Sequence, residues 1–139
     1  MTNRKETNAK YGNLLDSVIE VDPYMRSVII ADLNGDIIEK RLVRGTRDFL
    51  TEEQNRQVME HTINYWNYRK TMTDKIGNAK FILESYENFK KLVIALSAER
   101  LLIVTFEKEG GQRDIVERIQ TAIGLNEASE ACRSISASH

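Results

Sequence analysis

Few side chains in this sequence could carry out a reaction, and their spacing argues against it. Nucleophilic or acid–base catalysis needs a nucleophile within reach of a base of matched pKa. The candidates are His61, His139 and Cys132. His61 falls on a helical flank with Tyr65 and Tyr68, where a lone imidazole packs or faces water. His139 is the last residue, and Cys132 sits in a small polar stretch with no fixed cation to lower its thiol pKa. No enzyme is expected from this set. Asp32 and Asp36 flank an Asn34-Gly35 pair and could hold Mg²⁺ or Ca²⁺. Aspartates at turns already bond neighbouring amides, however, and no C-x-x-C, H-E-x-x-H or EF-hand loop is present. No metal and no other cofactor is expected.

Two further groupings have a bland explanation. Gly110-Gly111 precedes a helical pattern and could turn backbone N–H groups toward a phosphate. It lacks the spacing of a nucleotide-binding loop and reads as a flexible turn. Lys40, Arg41, Arg44 and Arg47 form the densest basic stretch, followed at a distance by Arg69-Lys70 and Lys90-Lys91. Glu39, Asp48, Glu52 and Glu53 are interleaved with them, and charge of this kind protects an exposed strand edge. With 20 basic and 21 acidic side chains the net charge is -1, so no general attraction to nucleic acid or to anionic lipid is expected.

The elements that must position these residues follow from periodicity. The chain has 139 residues, 41% of them hydrophobic and one a proline, which suits one globular domain. Residues 1–9 are polar and read as a flexible N-terminus, 10–125 as the domain, and 126–139 as a flexible tail. No apolar run approaches the ~20 residues of a membrane span. The first residues lack the apolar core of a secretory signal, and a single cysteine suits a reducing compartment. The expected location is cytoplasmic.

Tyr11, Leu14, Leu15, Val18 and Ile19 recur at helical spacing and stop before Asp22-Pro23. Residues 27–33 and 36–43 are β-branched runs joined by Asn34-Gly35, which predicts a two-residue type I′ hairpin. Thr51-Glu-Glu-Gln54 has the form of a capping box and opens a long helix that can reach Ile76, where Gly77 stops it. Three strands follow at 80–86, 90–96 and 101–107, and Ile115, Val116, Ile119 and Ile123 mark a last helix. The order is α-β-β-α-β-β-β-α, an α+β fold with a five-stranded antiparallel sheet and helices on both faces.

Strand faces refine this. Val28 and Ile30 lie on one face of their strand, and Ile29, Ala31 and Leu33 on the other. The fifth strand is also apolar on both faces, so the first and fifth belong at the centre. The second and third carry charges that suit edges. At 100° per residue, Met59, Ile63 and Trp66 fall on one flank of the long helix and Tyr65, Tyr68 and Met72 on the other. The apolar arc is roughly 200°, wider than one sheet needs. A second copy of the chain, packing on this helix and on the third strand, would cover the excess.

An Asp32-x-x-Gly35 hairpin, a long second helix closed by Ile76-Gly77 and a final strand "LLIVTF" resemble the roadblock-type (dynein light chain roadblock-like) fold. The chain is also similar to small uncharacterised archaeal proteins with the same hairpin and an entry like Val21-Asp22-Pro23. The resemblance implies a non-catalytic domain that dimerises through the second helix and third strand, and that in many members binds or regulates small Ras-like GTPases. The implied self-contact or partner surface is Met59, Ile63, Tyr65, Trp66, Tyr68, Met72, Phe81 and Leu83. This helix departs from the family's small and aliphatic residues at Tyr65, Trp66 and Tyr68, and no GTPase contact carries over residue by residue. The rival class is a PAS-like or profilin-like small-molecule sensor, with its ligand between sheet and long helix against Phe81, Tyr86 and Phe89. No polar groups are expected to converge there.

Overall fold

The structure, a computed structural model, describes residues 2–43, 45–46 and 48–137, with side-chain surroundings for 11–43, 45–46 and 48–129. Arg44, Arg47 and His139 lie outside the described residues, as does the side chain of Cys132. The elements are α1 (Thr2–Ile19), β1 (Met25–Asp32), β2 (Ile37–Leu42), α2 (Glu52–Lys70), α3 (Thr73–Ile76), β3 (Phe81–Ser85), β4 (Phe89–Ala95), β5 (Arg100–Glu107) and α4 (Ile115–Ala137). The strands form one antiparallel sheet in the order β2-β1-β5-β4-β3. β1 and β5 are central and β2 and β3 outermost, as their apolar and charged faces require.

Two cores lie on opposite faces of the sheet. On one, Leu14, Leu15 and Val18 of α1 and Ile115, Ile119 and Ile123 of α4 meet Val28, Ile30, Leu92, Leu102, Val104 and Phe106. On the other, Ile63 and Trp66 of α2 meet Ala31, Val93, Leu101 and Ile103. The period of two in each central strand supplies both cores from one set of residues.

Four local expectations are corrected. The hairpin is not a two-residue type I′ turn, because among the described residues no side-chain-bearing residue has positive φ, and Gly35 alone in the loop does, at 93°. Asp32 and Asp36 pair across Leu33-Asn34-Gly35, with Gly35 N–H donating to Asp32 O at 3.1 Å and Asp32 N–H to Asp36 O at 3.0 Å. This is a three-residue connection closed by a left-handed glycine. The Asp32 carboxylate accepts from the amides of Asn34 and Asp36 at 2.9 and 3.0 Å.

The long helix opens at Thr51 with both capping-box hydrogen bonds in place, but it closes at Lys70. There the Thr71 and Met72 amides bond three residues back instead of four and the Thr71 hydroxyl donates to Tyr68 O at 2.7 Å. The short α3 then carries the chain to Gly77. The segments read as loose ends are helical: α1 begins at Thr2 and α4 runs to Ala137. Glu127, Ala128, Ala131 and Arg133 are good helix formers, and no glycine or proline after Gly124 interrupts them.

Gly110-Gly111 is not a flexible turn. Both glycines are buried. Gly111 N–H donates to the buried Asp22 carboxylate at 2.9 Å, and the Lys90 ammonium donates to Gly110 O at 2.7 Å. No helix among the described residues is long and apolar enough to cross a membrane.

Candidate functional site

The long helix lies across one face of the sheet. Thr51 fixes where it starts, and Asn67 pins its far end by donating to Leu33 O in the hairpin at 3.2 Å. Ile63 and Trp66 point at the sheet and are 4% and 5% exposed, so both belong to the domain's own core. Met59 packs against that core from the side. Tyr65 and Tyr68 point outward, the first 44% exposed and stacked beneath the Arg69 guanidinium at 4.8 Å. Met72 is half-buried in the turn after the helix.

Phe81 and Leu83 sit opposite Ile94 and Leu92 across the β3–β4 ladder, which places them on the α1/α4 face of the sheet. There they are 45% and 43% exposed. The expected surface residues therefore fall in four places: core side chains under α2, aromatic rings outside it, Met72 in the turn that follows it, and apolar side chains on the far face of the same sheet edge.

Between α2 and the β3–β4 pair runs a cleft of about 320 Å³. Its floor is Trp66, Val93 and Ile82, and its rim Tyr65, His61 and Tyr86. Lys91 rises into it from β4. The side chain is buried, the residue 6% exposed, and its ammonium donates to the Thr62 hydroxyl on α2. Glu84 faces Lys91 in the ladder, yet its carboxylate accepts from the Tyr86 hydroxyl at 2.6 Å, which pushes the Tyr86 phenol above its ordinary value. Among the described residues no carboxylate forms an ion pair with Lys91. Burial pushes its ammonium below the ordinary lysine value, and the Glu84 charge opposes that in part.

Of the aromatics expected to hold a ligand, Tyr86 lines this cleft, Phe89 stacks on Tyr86 at 5.0 Å, and Phe81 borders a second cleft of about 270 Å³ beside Ile76 and Arg69. The expectation that nothing polar converges under the helix is corrected by Lys91 and Thr62. A signal for Lys91 was present in the sequence. Leu92, Val93 and Ile94 make β4 apolar on both faces, so a lysine two residues before Val93 shares the face that α2 covers.

The sign of the Lys91 shift gives a pH prediction. A lysine that binds its proton less tightly when folded leaves the unfolded chain with more bound protons, between its folded value and ~10.4. Stability contributed by this group therefore rises with pH in that window. Lys91→Met removes the buried charge and is expected to stabilise the domain by about 1 kcal/mol at neutral pH. In denaturant titrations the advantage over the parent should shrink as pH climbs toward the ordinary lysine value. An advantage that grows there would show that the lysine is stabilised as a cation.

No family model matches the chain, and no curated protein matches it. Solved structures do. The gliding protein MglB from Thermus thermophilus superposes with a TM-score of 0.70 at 8% identity, over 84% of this chain and 85% of that one. MglB in a tetrameric arrangement gives 0.71 at 9% identity, over 90% and 91%. A Roadblock/LC7 domain from Streptomyces avermitilis gives 0.62 at 8% identity, over 85% and 95%. Identities this low speak for shared architecture. One long helix on one face of a β2-β1-β5-β4-β3 sheet and two helices on the other are, in this chain, the Roadblock/LC7 fold.

Proposed function

We propose that the chain is a non-catalytic, homodimeric protein-interaction module that serves as a scaffold or regulator for a small Ras-like GTPase. The observation that supports self-association is the apolar surface gathered at one edge. Tyr65 and Tyr68 on α2, Ile76 after it, and Phe81 and Leu83 on β3 are all exposed, and β3 is an outermost strand. An open edge flanked by apolar side chains on both faces is a poor surface to leave in water. A two-fold contact that pairs β3 with its mate and lays α2 against its mate covers the rings on one face and Phe81 and Leu83 on the other. The tetrameric arrangement of MglB, which shares the fold, fits a module that assembles with itself. The GTPase partner class follows from the fold resemblance.

Light scattering on the full chain should give twice the 16.0 kDa monomer mass at micromolar concentration. Tyr65→Asp leaves the core untouched and is expected to weaken the dimer about a hundredfold while far-UV circular dichroism stays unchanged. A wild-type monomer under these conditions removes the dimer. Co-elution with a Ras-like GTPase in its GTP form, and not in its GDP form, supports the partner class, and failure with each GTPase of the same genome removes it.

A further inference from the structure

We infer that the cleft beneath α2 binds a small organic monocarboxylate with an apolar body, and that Lys91 is the cation that receives its head group. Among the described residues, Lys91 and Arg26 are both buried on this face of the sheet, but Arg26 is ion-paired with Glu107 at the far end of the ladder, whereas Lys91 is ion-paired with no carboxylate. An ammonium buried without an opposite charge in contact is destabilising. Thr62 occupies one of its three donors. Glu84, the acid nearest in register, is turned to Tyr86. A leucine or methionine at this position would fill the same space without that cost, so packing does not explain the lysine.

The walls define the rest of the ligand. Trp66, Val93, Ile82 and Val58 are apolar and line the same cleft, so a bound molecule meets a cation at one end and hydrocarbon along its length. A volume of about 320 Å³ lies at the lower end of small-molecule sites and admits on the order of ten non-hydrogen atoms at ~30 Å³ per water-sized group. The Glu84 carboxylate at the mouth disfavours a second negative charge, which selects a monocarboxylate over phosphate. His61, Tyr65 and Tyr86 are the other titratable groups that line the cleft. Burial already depresses the Lys91 pKa, and a bound carboxylate would restore it.

All the residues that line this cleft come from one chain, so the site is complete without a second copy. A mate laid on Tyr65 would alter access at the rim and leave Lys91 and Trp66 inside.

The chain contains one tryptophan, Trp66, and its indole lines the cleft, so its emission reports occupancy. The full-length chain is titrated with isovalerate, hexanoate and 3-phenylpropionate, and in parallel with 3-phenylpropanamide and inorganic phosphate. The expected result is a saturable change in Trp66 emission with at least one carboxylate, at millimolar concentration or below, and none with the amide or phosphate. Lys91→Met should weaken that response about tenfold or more, the scale of losing one charged hydrogen bond, and Thr62→Val should leave it measurable. No saturable response to any of the carboxylates overturns the inference. So does a response that Lys91→Met leaves unchanged, or one that the neutral amide reproduces. Light scattering on the same samples reads the dimer separately, so the two ideas fail independently.

Discussion

Replacing Trp66 with alanine is expected to remove about 3–5 kcal/mol of stability, the range for truncating a large buried aromatic. The reason is the small number of anchors that hold the long helix down. Of its 19 residues, Ile63 and Trp66 are the buried ones, and Trp66, the larger of the two, packs in one cluster with Val93, Leu101 and Ile103. Domains of this size have ~5–15 kcal/mol in total, so the loss should move the urea midpoint far while leaving the slope nearly constant. Circular dichroism is the measurement to use, since the substitution deletes the fluorophore. A loss below about 1 kcal/mol would mean that α2 docks through contacts other than those of Trp66.

Gly110→Ala is expected to cost about 3 kcal/mol, the upper range for forcing extra volume into a packed site. A Cβ built on Gly110 lies 2.8 Å from Tyr24 Cβ, 3.2 Å from Phe106 Cβ and 3.3 Å from Asp22 Oδ1. Two of these atoms are Cβ atoms tied directly to backbone, so no flexible side chain can swing aside. The site is also where the start of β1 meets the end of β5, through Glu107 N–H to Tyr24 O at 2.8 Å. Gly124→Ala is the matched control. That residue lies in α4 with nothing within 4 Å of its added Cβ, and alanine there should gain up to about 1 kcal/mol of helix stability. Equal melting temperatures for the two variants would show that the glycine corner has room to give.

These two sites differ in how far the sequence revealed them. Trp66 was legible as an apolar position on a helix, but a helical wheel cannot separate the flank that meets the sheet from the flank that meets water. Ile63 and Trp66 turn inward and Tyr65 and Tyr68 outward as the helix packs on Ala31, Val93, Leu101 and Ile103, an orientation compatible with the bonds of Asn67 to the hairpin and of Thr62 to β4. The glycine pair was visible as a break in pattern. Its burial was not, because the groups that enclose it include Asp22 and Tyr24, which come from sequence positions far away.

By itself the sequence determined the order of elements, the central and edge strands and the capped start of the long helix. Those depend on local periodicity and on side chains within four residues of one another, such as Thr51 with Gln54. Tertiary structure alone decided that Lys91 lies beneath α2 with Thr62, that Glu84 turns to Tyr86, and that Phe81 and Leu83 occupy the face opposite Tyr65. Each of these depends on strand register and on the angle of a helix over a sheet. Both are set by the sum of many apolar contacts, and no short run of residues records them.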